Sequence, residues 1–157
     1  MTRFSRSAVV AAGPEREVVL GEARVRILAG GAETNGSVAV LDYVMPPDYH
    51  GPPAHVHPGF DEMFSVLEGR LTVRLGDEVV TAAVGDTVVV PGATPHTFAN
   101  FAAAPARALI VLTPAGFEGY FAEFAPLIAD GPPDPEKAGP LAARYGVETV
   151  GPPLSPG

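Results

Sequence analysis

From Glu68 onward the chain is cut at short intervals by turn pairs: Glu68-Gly69, Gly76-Asp77, Gly85-Asp86 and Pro91-Gly92. Glycine supplies positive φ and aspartate bonds its own backbone, so each pair favours a reversal and leaves a short segment before the next. Glu62–Leu67, Leu71–Leu75, Glu78–Ala83, Thr87–Val90, His96–Phe101 and Arg107–Thr113 fill those intervals and read as strands. Glu17–Leu20, Ala23–Leu28 and Ser37–Met45 read the same way upstream. In Ala23–Leu28, Ala23, Val25 and Ile27 alternate with Arg24 and Arg26 at the strand period of two. Asn35-Gly36 predicts a hairpin turn, because both residues tolerate positive φ. Glu62–Leu67 and Leu71–Leu75 are expected to pair as a hairpin. Thr87–Val90, apolar on both faces, is expected to be buried on both sides. About ten short strands, with 18 Gly and 18 Pro spread along the chain, predict an all-β barrel or jelly roll.

Past Pro114 the period changes. Phe117, Tyr120, Phe121, Phe124, Leu127 and Ile128 recur at three and four, which predicts an amphipathic helix within Gly116–Asp130, ended or kinked by Pro126. Asp134-Pro135 is an N-cap and N1 pair for a second helix. The Pro-rich tail Gly151–Gly157 is expected to be extended, and residues 1–15 to form a loose arm able to pair as an edge strand. The expected organisation is one domain over 1–157, with a barrel over roughly 16–114 and a helical cover and tail over 115–157.

Charge and composition exclude several functions. The net charge is −8, with 18 acidic against 10 basic residues, and Lys137 is the only lysine. Such a surface is repelled by nucleic acid and by anionic membranes. With no cysteine, disulfides, thiolate nucleophiles and Cys-ligated metals are ruled out, so any metal must be held by His and carboxylate. No apolar run approaches the roughly 20 residues of a membrane span. The apolar patch Ala8–Ala12 is too short for a secretion leader, so the expected location is the cytoplasm.

Four histidines are present, and three belong to one pattern. His55 and His57 are two apart and share a strand face. Glu62 lies five beyond His57, the wrong parity for an unbroken strand, but a turn or bulge at Pro58-Gly59 can reset the register. His96 follows the loop Pro91–Pro95. Before them runs the proline-rich loop Pro46–Pro53, stiff and poor in donors, as the mouth of a barrel could be. Imidazole and carboxylate suit one divalent transition metal, whether Fe, Mn, Ni, Cu or Zn. Asp61 competes with Glu62 as the acidic ligand or serves as an acceptor behind the ligands. His50, in the mouth loop, is either idle or placed behind the ligands. By strand parity Phe64 and Val66 share the face of Glu62, and Phe98 that of His96. With Tyr43 and Met45 they are candidates for a substrate pocket or for the barrel core.

These residues resemble the two motifs of the cupin superfamily. His55, His57, Glu62 and Gly69 match the first, and Gly85, Pro91, His96 and Asn100 the second. Gly51 stands closer to His55 than the usual glycine, and Gly92 one place early. The resemblance implies a jelly-roll barrel holding one divalent metal through His55, His57, Glu62 and His96, with two coordination positions open. It also implies that Asn100 belongs with His50 and Asp61 around the ligands. Gly-Pro-Pro before the histidines and Tyr145-Gly146-Val147-Glu148 are similar to small cupins described as quercetin 2,3-dioxygenase-like. That likeness implies a dioxygenase acting on a small enolisable or aromatic compound, with Glu62 as both ligand and catalytic base. Cupins that are isomerases, decarboxylases or cyclases, and non-catalytic small-molecule binders, are the alternatives. A homodimer exchanging a strand from residues 1–20 is a further expectation of the resemblance.

Overall fold

The computed structural model describes residue 4 and residues 7–157. Part of the expected arm over 1–15 lies outside the described residues; residues 7–13 carry no regular structure and no strand pairing. The strands are β1 (Glu17–Leu20), β2 (Ala23–Ala29), β3 (Ala39–Met45), β4 (Ala54–Val56), β5 (Asp61–Glu68) and β6 (Arg70–Leu75). They continue as β7 (Glu78–Ala83), β8 (Thr87–Val90), β9 (His96–Ala99), β10 (Ala106–Thr113) and β11 (Glu148–Gly151). All pair antiparallel, in one sheet of order β1-β2-β3-β10-β5-β8 and a second of order β11-β4-β9-β6-β7.

Side-chain alternation builds the space between the sheets. On β10 every second residue is buried, Ala106, Ala108, Ile110 and Leu112, and β5 sends Glu62, Phe64 and Val66 inward beside them. Leu71 and Val73 of β6 and Phe98 of β9 face them from the second sheet. Each large apolar side chain removed from water in this way contributes about 1.5–3 kcal/mol. The jelly-roll barrel is therefore assembled by the alternation the sequence displays.

Three local expectations are corrected. Asn35-Gly36 does take positive φ, 53° and 73°, but as the C-terminal cap of a one-turn helix, α1 (Gly31–Thr34), rather than as a two-residue hairpin. Strands β2 and β3 still pair across that longer loop. Second, β5 and β6 do not pair: the chain crosses at Gly69 from one sheet to the other. A Cβ at Gly69 would stand 2.7 Å from the Pro105 carbonyl. Third, β8 is the edge of the six-stranded sheet, with Val88 and Val90 buried but Val89 58% exposed. A run of identical valines carries no alternation from which to read a face. One strand was not expected at all: β11, which ends at Gly151 where the tail begins, pairs with β4.

The C-terminal segment follows the predicted period. Helix α2 (Glu118–Phe124) continues into a 3₁₀ turn containing Pro126, and α3 (Pro135–Arg144) starts where the Asp134 side chain accepts from the Glu136 N–H at 3.0 Å. The aromatic face of α2 packs on the barrel, with Phe121 against Tyr43. Among the described residues no helix is long and apolar enough to cross a membrane.

On the outer face of the six-stranded sheet, Asp42 is buried under two arginines. Arg107 grips both carboxylate oxygens at 2.8 Å, and Arg26 adds a contact at 3.0 Å. These guanidinium groups hold the Asp42 carboxyl below its ordinary range, with the Arg107 hydrogen bonds the largest cause.

Candidate metal centre

Local backbone brings the three histidines and Glu62 together. His55 on β4 lies directly opposite His96, the first residue of β9. His57 falls just past β4 and opens a tight turn through Pro58 and Gly59, in which the Phe60 N–H donates to the His57 carbonyl at 3.2 Å. That turn resets the parity, and Glu62 enters β5 facing inward, between Val90 and Leu112. One donor atom from each of His55, His57, Glu62 and His96 falls within 4.8 Å of all the others. His57, Glu62 and His96 are buried, and His55 is partly exposed.

The hydrogen bonds of the outer ring nitrogens decide what the inner ones offer. Nδ1 of His55 lies 2.8 Å from the Pro53 carbonyl, Nδ1 of His57 2.8 Å from that of Phe60, and Nδ1 of His96 2.9 Å from that of Thr94. A carbonyl only accepts, so each Nδ1 carries the hydrogen and each neutral ring presents a bare lone pair at Nε2. The Nε2 atoms of His57 and His96 stand 3.2 Å apart, and Glu62 Oε2 is 3.2 Å and 3.1 Å from them. Lone pairs facing one another at this separation repel unless a cation lies among them. The donor set therefore fits a divalent metal ion.

Electrostatics agree. Burial alone raises the Glu62 carboxyl, but the imidazoles of His57 and His96, which donate to it whenever Nε2 carries a proton, outweigh burial and bring it down to about 2, so it is ionised at neutral pH. Burial, with the neighbouring His96, lowers His55 to about 4 and keeps it neutral. Burial also pushes His57 down, but the Glu62 carboxylate overcomes this and the net shift is upward. Without a metal, a proton on His57 is what relieves the repulsion.

The remaining sequence candidates divide. Tyr43, Met45, Phe64, Val66 and Phe98 are all buried inside the barrel, with Phe98 edge-on to Tyr43 at 5.6 Å and 5.0 Å from Phe64. Asp61 points away from the cluster. Its Oδ1 accepts the Gly92 N–H at 2.9 Å, while the Gly92 carbonyl accepts the His57 N–H at 3.0 Å, so Asp61 steadies the loop beside the ligands. His50 is exposed, its Nδ1 3.3 Å from the Leu154 carbonyl and its ring against Phe101, outside the cluster. Asn100 is fully buried, but its side chain clasps the carbonyls of Pro46 and Ala104 and the Ala102 N–H rather than any of the four converging residues. Its motif position organises the mouth loops.

Three contributors escape sequence reasoning. Phe60 stacks flat on His57, ring centroids 4.0 Å apart and planes at 5°. Gly92 must lack a side chain, since a Cβ there would stand 2.3 Å from the Phe60 carbonyl and 2.6 Å from that of His57. Tyr49 places its hydroxyl 2.7 Å from that of Tyr43. The displaced glycine at 92 was a visible signal; ring stacking has no period to read.

Residues 41–112 match the family model of the cupin domain. The chain carries a cupin domain. Both motifs and all four converging residues lie within it. Among curated proteins none matches in sequence. The protein TT1209 from Thermus thermophilus is 26% identical over 68% of this chain and 90% of its own, with a TM-score of 0.51. A sugar phosphate isomerase of the cupin superfamily from Silicibacter pomeroyi is 27% identical over 58% of this chain, with a TM-score of 0.50. This chain spans 59% of that isomerase's length. A predicted oxalate decarboxylase from Thermotoga maritima shares the fold at 21% identity, over 59% of this chain and 81% of its own, with a TM-score of 0.54.

Proposed function

We propose that this cupin is a metal-dependent enzyme in which His55, His57, Glu62 and His96 hold one divalent transition metal ion, and that it acts as a dioxygenase on a small enolisable or aromatic compound. The observation that carries the metal reading is that the Nε2 lone pairs of His57 and His96 face the Glu62 carboxylate with no hydrogen to share, with a donor atom of His55 within 4.8 Å. When bound, the ion supplies Lewis acidity to a coordinated oxygen of the substrate and a place for O₂ beside it.

The chain's own residues supply the rest. The carbonyls of Pro53, Phe60 and Thr94 fix the tautomers, so the imidazoles bind as neutral ligands without rearranging. Glu62 is the group able to accept a proton from the substrate at its carboxylate. Phe64 and Phe98 line the interior beside it and exclude water.

A non-oxidative reaction, an isomerisation or decarboxylation using the same ion and the same base, is the second reading. The likeness to the Silicibacter isomerase supports it. Metal analysis of protein purified without chelator, followed by O₂ uptake with quercetin and related flavonols, separates the readings. Less than about a tenth of an equivalent of metal, with none taken up on addition, overturns both. Stoichiometric metal with substrate turnover and no O₂ consumption selects the second.

A further inference from the structure

We infer that Phe60 and Phe117 are positioning residues for His57, and that through them helix α2 sets the affinity and geometry of the metal centre. The inference rests on the metal-binding reading above.

Phe60 holds the His57 imidazole in two independent ways. Its carbonyl accepts the Nδ1 hydrogen at 2.8 Å, which fixes the direction of the ring within its plane. Its phenyl ring lies parallel on the imidazole at 4.0 Å, which blocks rotation out of that plane. A backbone bond alone leaves the second motion free. Phe60 is 9% exposed, and its ring is in turn stacked on Phe117 at 5.1 Å with planes 28° apart. Phe117 immediately precedes α2 and stacks on Tyr120 at 4.9 Å, which stacks on Phe124 at 5.1 Å. A continuous file of rings thus runs from one imidazole to the far end of the helix.

The other two histidines lack such a backing. His96 is held edge-on by His57 and tilted against His55, and His55 is partly exposed. His57 is therefore the imidazole whose angle depends on something outside the cluster. Phe60 lies within residues 41–112, the part of the chain that matches the cupin domain, but Phe117, which backs it, lies beyond them. Groups that orient a ligand from behind commonly carry a 10- to 100-fold effect on metal affinity. Coupling of this kind is reciprocal, so metal binding must also tighten the docking of α2.

The test is a titration of the full chain, metal removed by chelator, with Co²⁺ followed by its visible absorption. Phe117→Ala is expected to weaken Co²⁺ binding about tenfold and to change band positions, and Phe117→Tyr to restore both. Phe60→Leu, which keeps the carbonyl bond but loses the flat ring, is expected to act in the same direction. Phe124→Ala, at the far end of the file, reaches His57 only through the intervening rings and is expected to weaken Co²⁺ binding by less than Phe117→Ala does. Hydrogen exchange of the α2 amides should slow on adding Co²⁺ in wild type. Wild-type affinity and spectrum in both Phe117→Ala and Phe60→Leu overturn the inference while leaving the metal site intact. Equal loss in Phe124→Ala overturns it as well, since general undocking of the helix then explains the effect. Failure of the wild-type protein to bind Co²⁺ overturns the metal reading itself and the inference with it.

Discussion

Two carboxylates are buried among the described residues, Glu62 on the inner face of the barrel and Asp42 on the outer face of the six-stranded sheet. Both sit among nitrogen-bearing side chains at hydrogen-bonding distance. Arg26 and Arg107 bring Asp42 N–H donors, so its lone pairs are satisfied within the chain. The histidines around Glu62 have their hydrogens turned outward to carbonyls and bring it further lone pairs. The first cluster is complete as it stands, and the second is complete only with a cation. Burial of charge marks neither as functional; the direction of the hydrogens does.

The largest expected effect is on the incomplete cluster. Adding Zn²⁺ or Ni²⁺ at about 1,000 times its Kd should stabilise the fold by about 4 kcal/mol, read as a chelator-reversible rise in Tm. No rise at any concentration would put the Glu62 cluster in the same class as Asp42. Next, Glu62→Gln should weaken metal binding by more than about 100-fold in a calorimetric titration, while Asp42→Ala leaves it unchanged.

In the absence of metal the ranking should reverse. Asp42→Ala strips both arginines of their partner, and a loss of about 2 kcal/mol is expected from urea unfolding, since each guanidinium remains partly accessible to water. Glu62→Gln should cost less, because its amide N–H₂ can donate to a histidine Nε2 where the carboxylate only accepts.

Smaller, and sharper, is the dependence on pH. The Asp42 carboxyl is lowered in the fold, so its contribution is complete above the ordinary aspartate value of 3.8 and is lost as pH falls through the depressed one. The stability gap between wild type and Asp42→Ala should be flat from pH 7 to about 5 and close only in stronger acid. Metal affinity should already fail at higher pH. The shift of His57 is upward, so the ion must displace a proton from it, and affinity should climb as pH rises through that value and then level off. Coincident pH profiles for the two clusters would erase the distinction between them.

Much of the inner cluster was legible in the sequence, because its spacing and its scarce residue type both point to it. His55, His57, Glu62 and His96 are brought together as predicted, and Pro58-Gly59 makes the turn that parity demanded. Turn residues, with alternation in β2, likewise gave β1, β2, β3, β5, β6, β7, β8 and β10 close to their observed limits. What alternation cannot carry is pairing. Nothing local tells that β5 and β6 belong to different sheets, or that β11 lies beside β4. Asp42 was unreadable for a related reason. On a strand an outward aspartate looks like a solvent contact, and only the cross-strand neighbours Arg26 and Arg107 bury it. Phe60 stood within the motif itself, but its partner Phe117 lies on an element that the strand pattern does not reach.

The pairing of β11 with β4 sets an order of assembly. The strand carrying His55 has β9 on one side and β11 on the other, with Thr149 opposite His55. During synthesis all four converging side chains leave the ribosome well before Glu148 does, and domains of this kind fold as units once their parts are available. A nascent chain therefore holds all four of them while the flank of β4 is still bare, an open strand edge able to pair wrongly. Arrival of the final strand, rather than of the last histidine, is the moment at which that edge is closed.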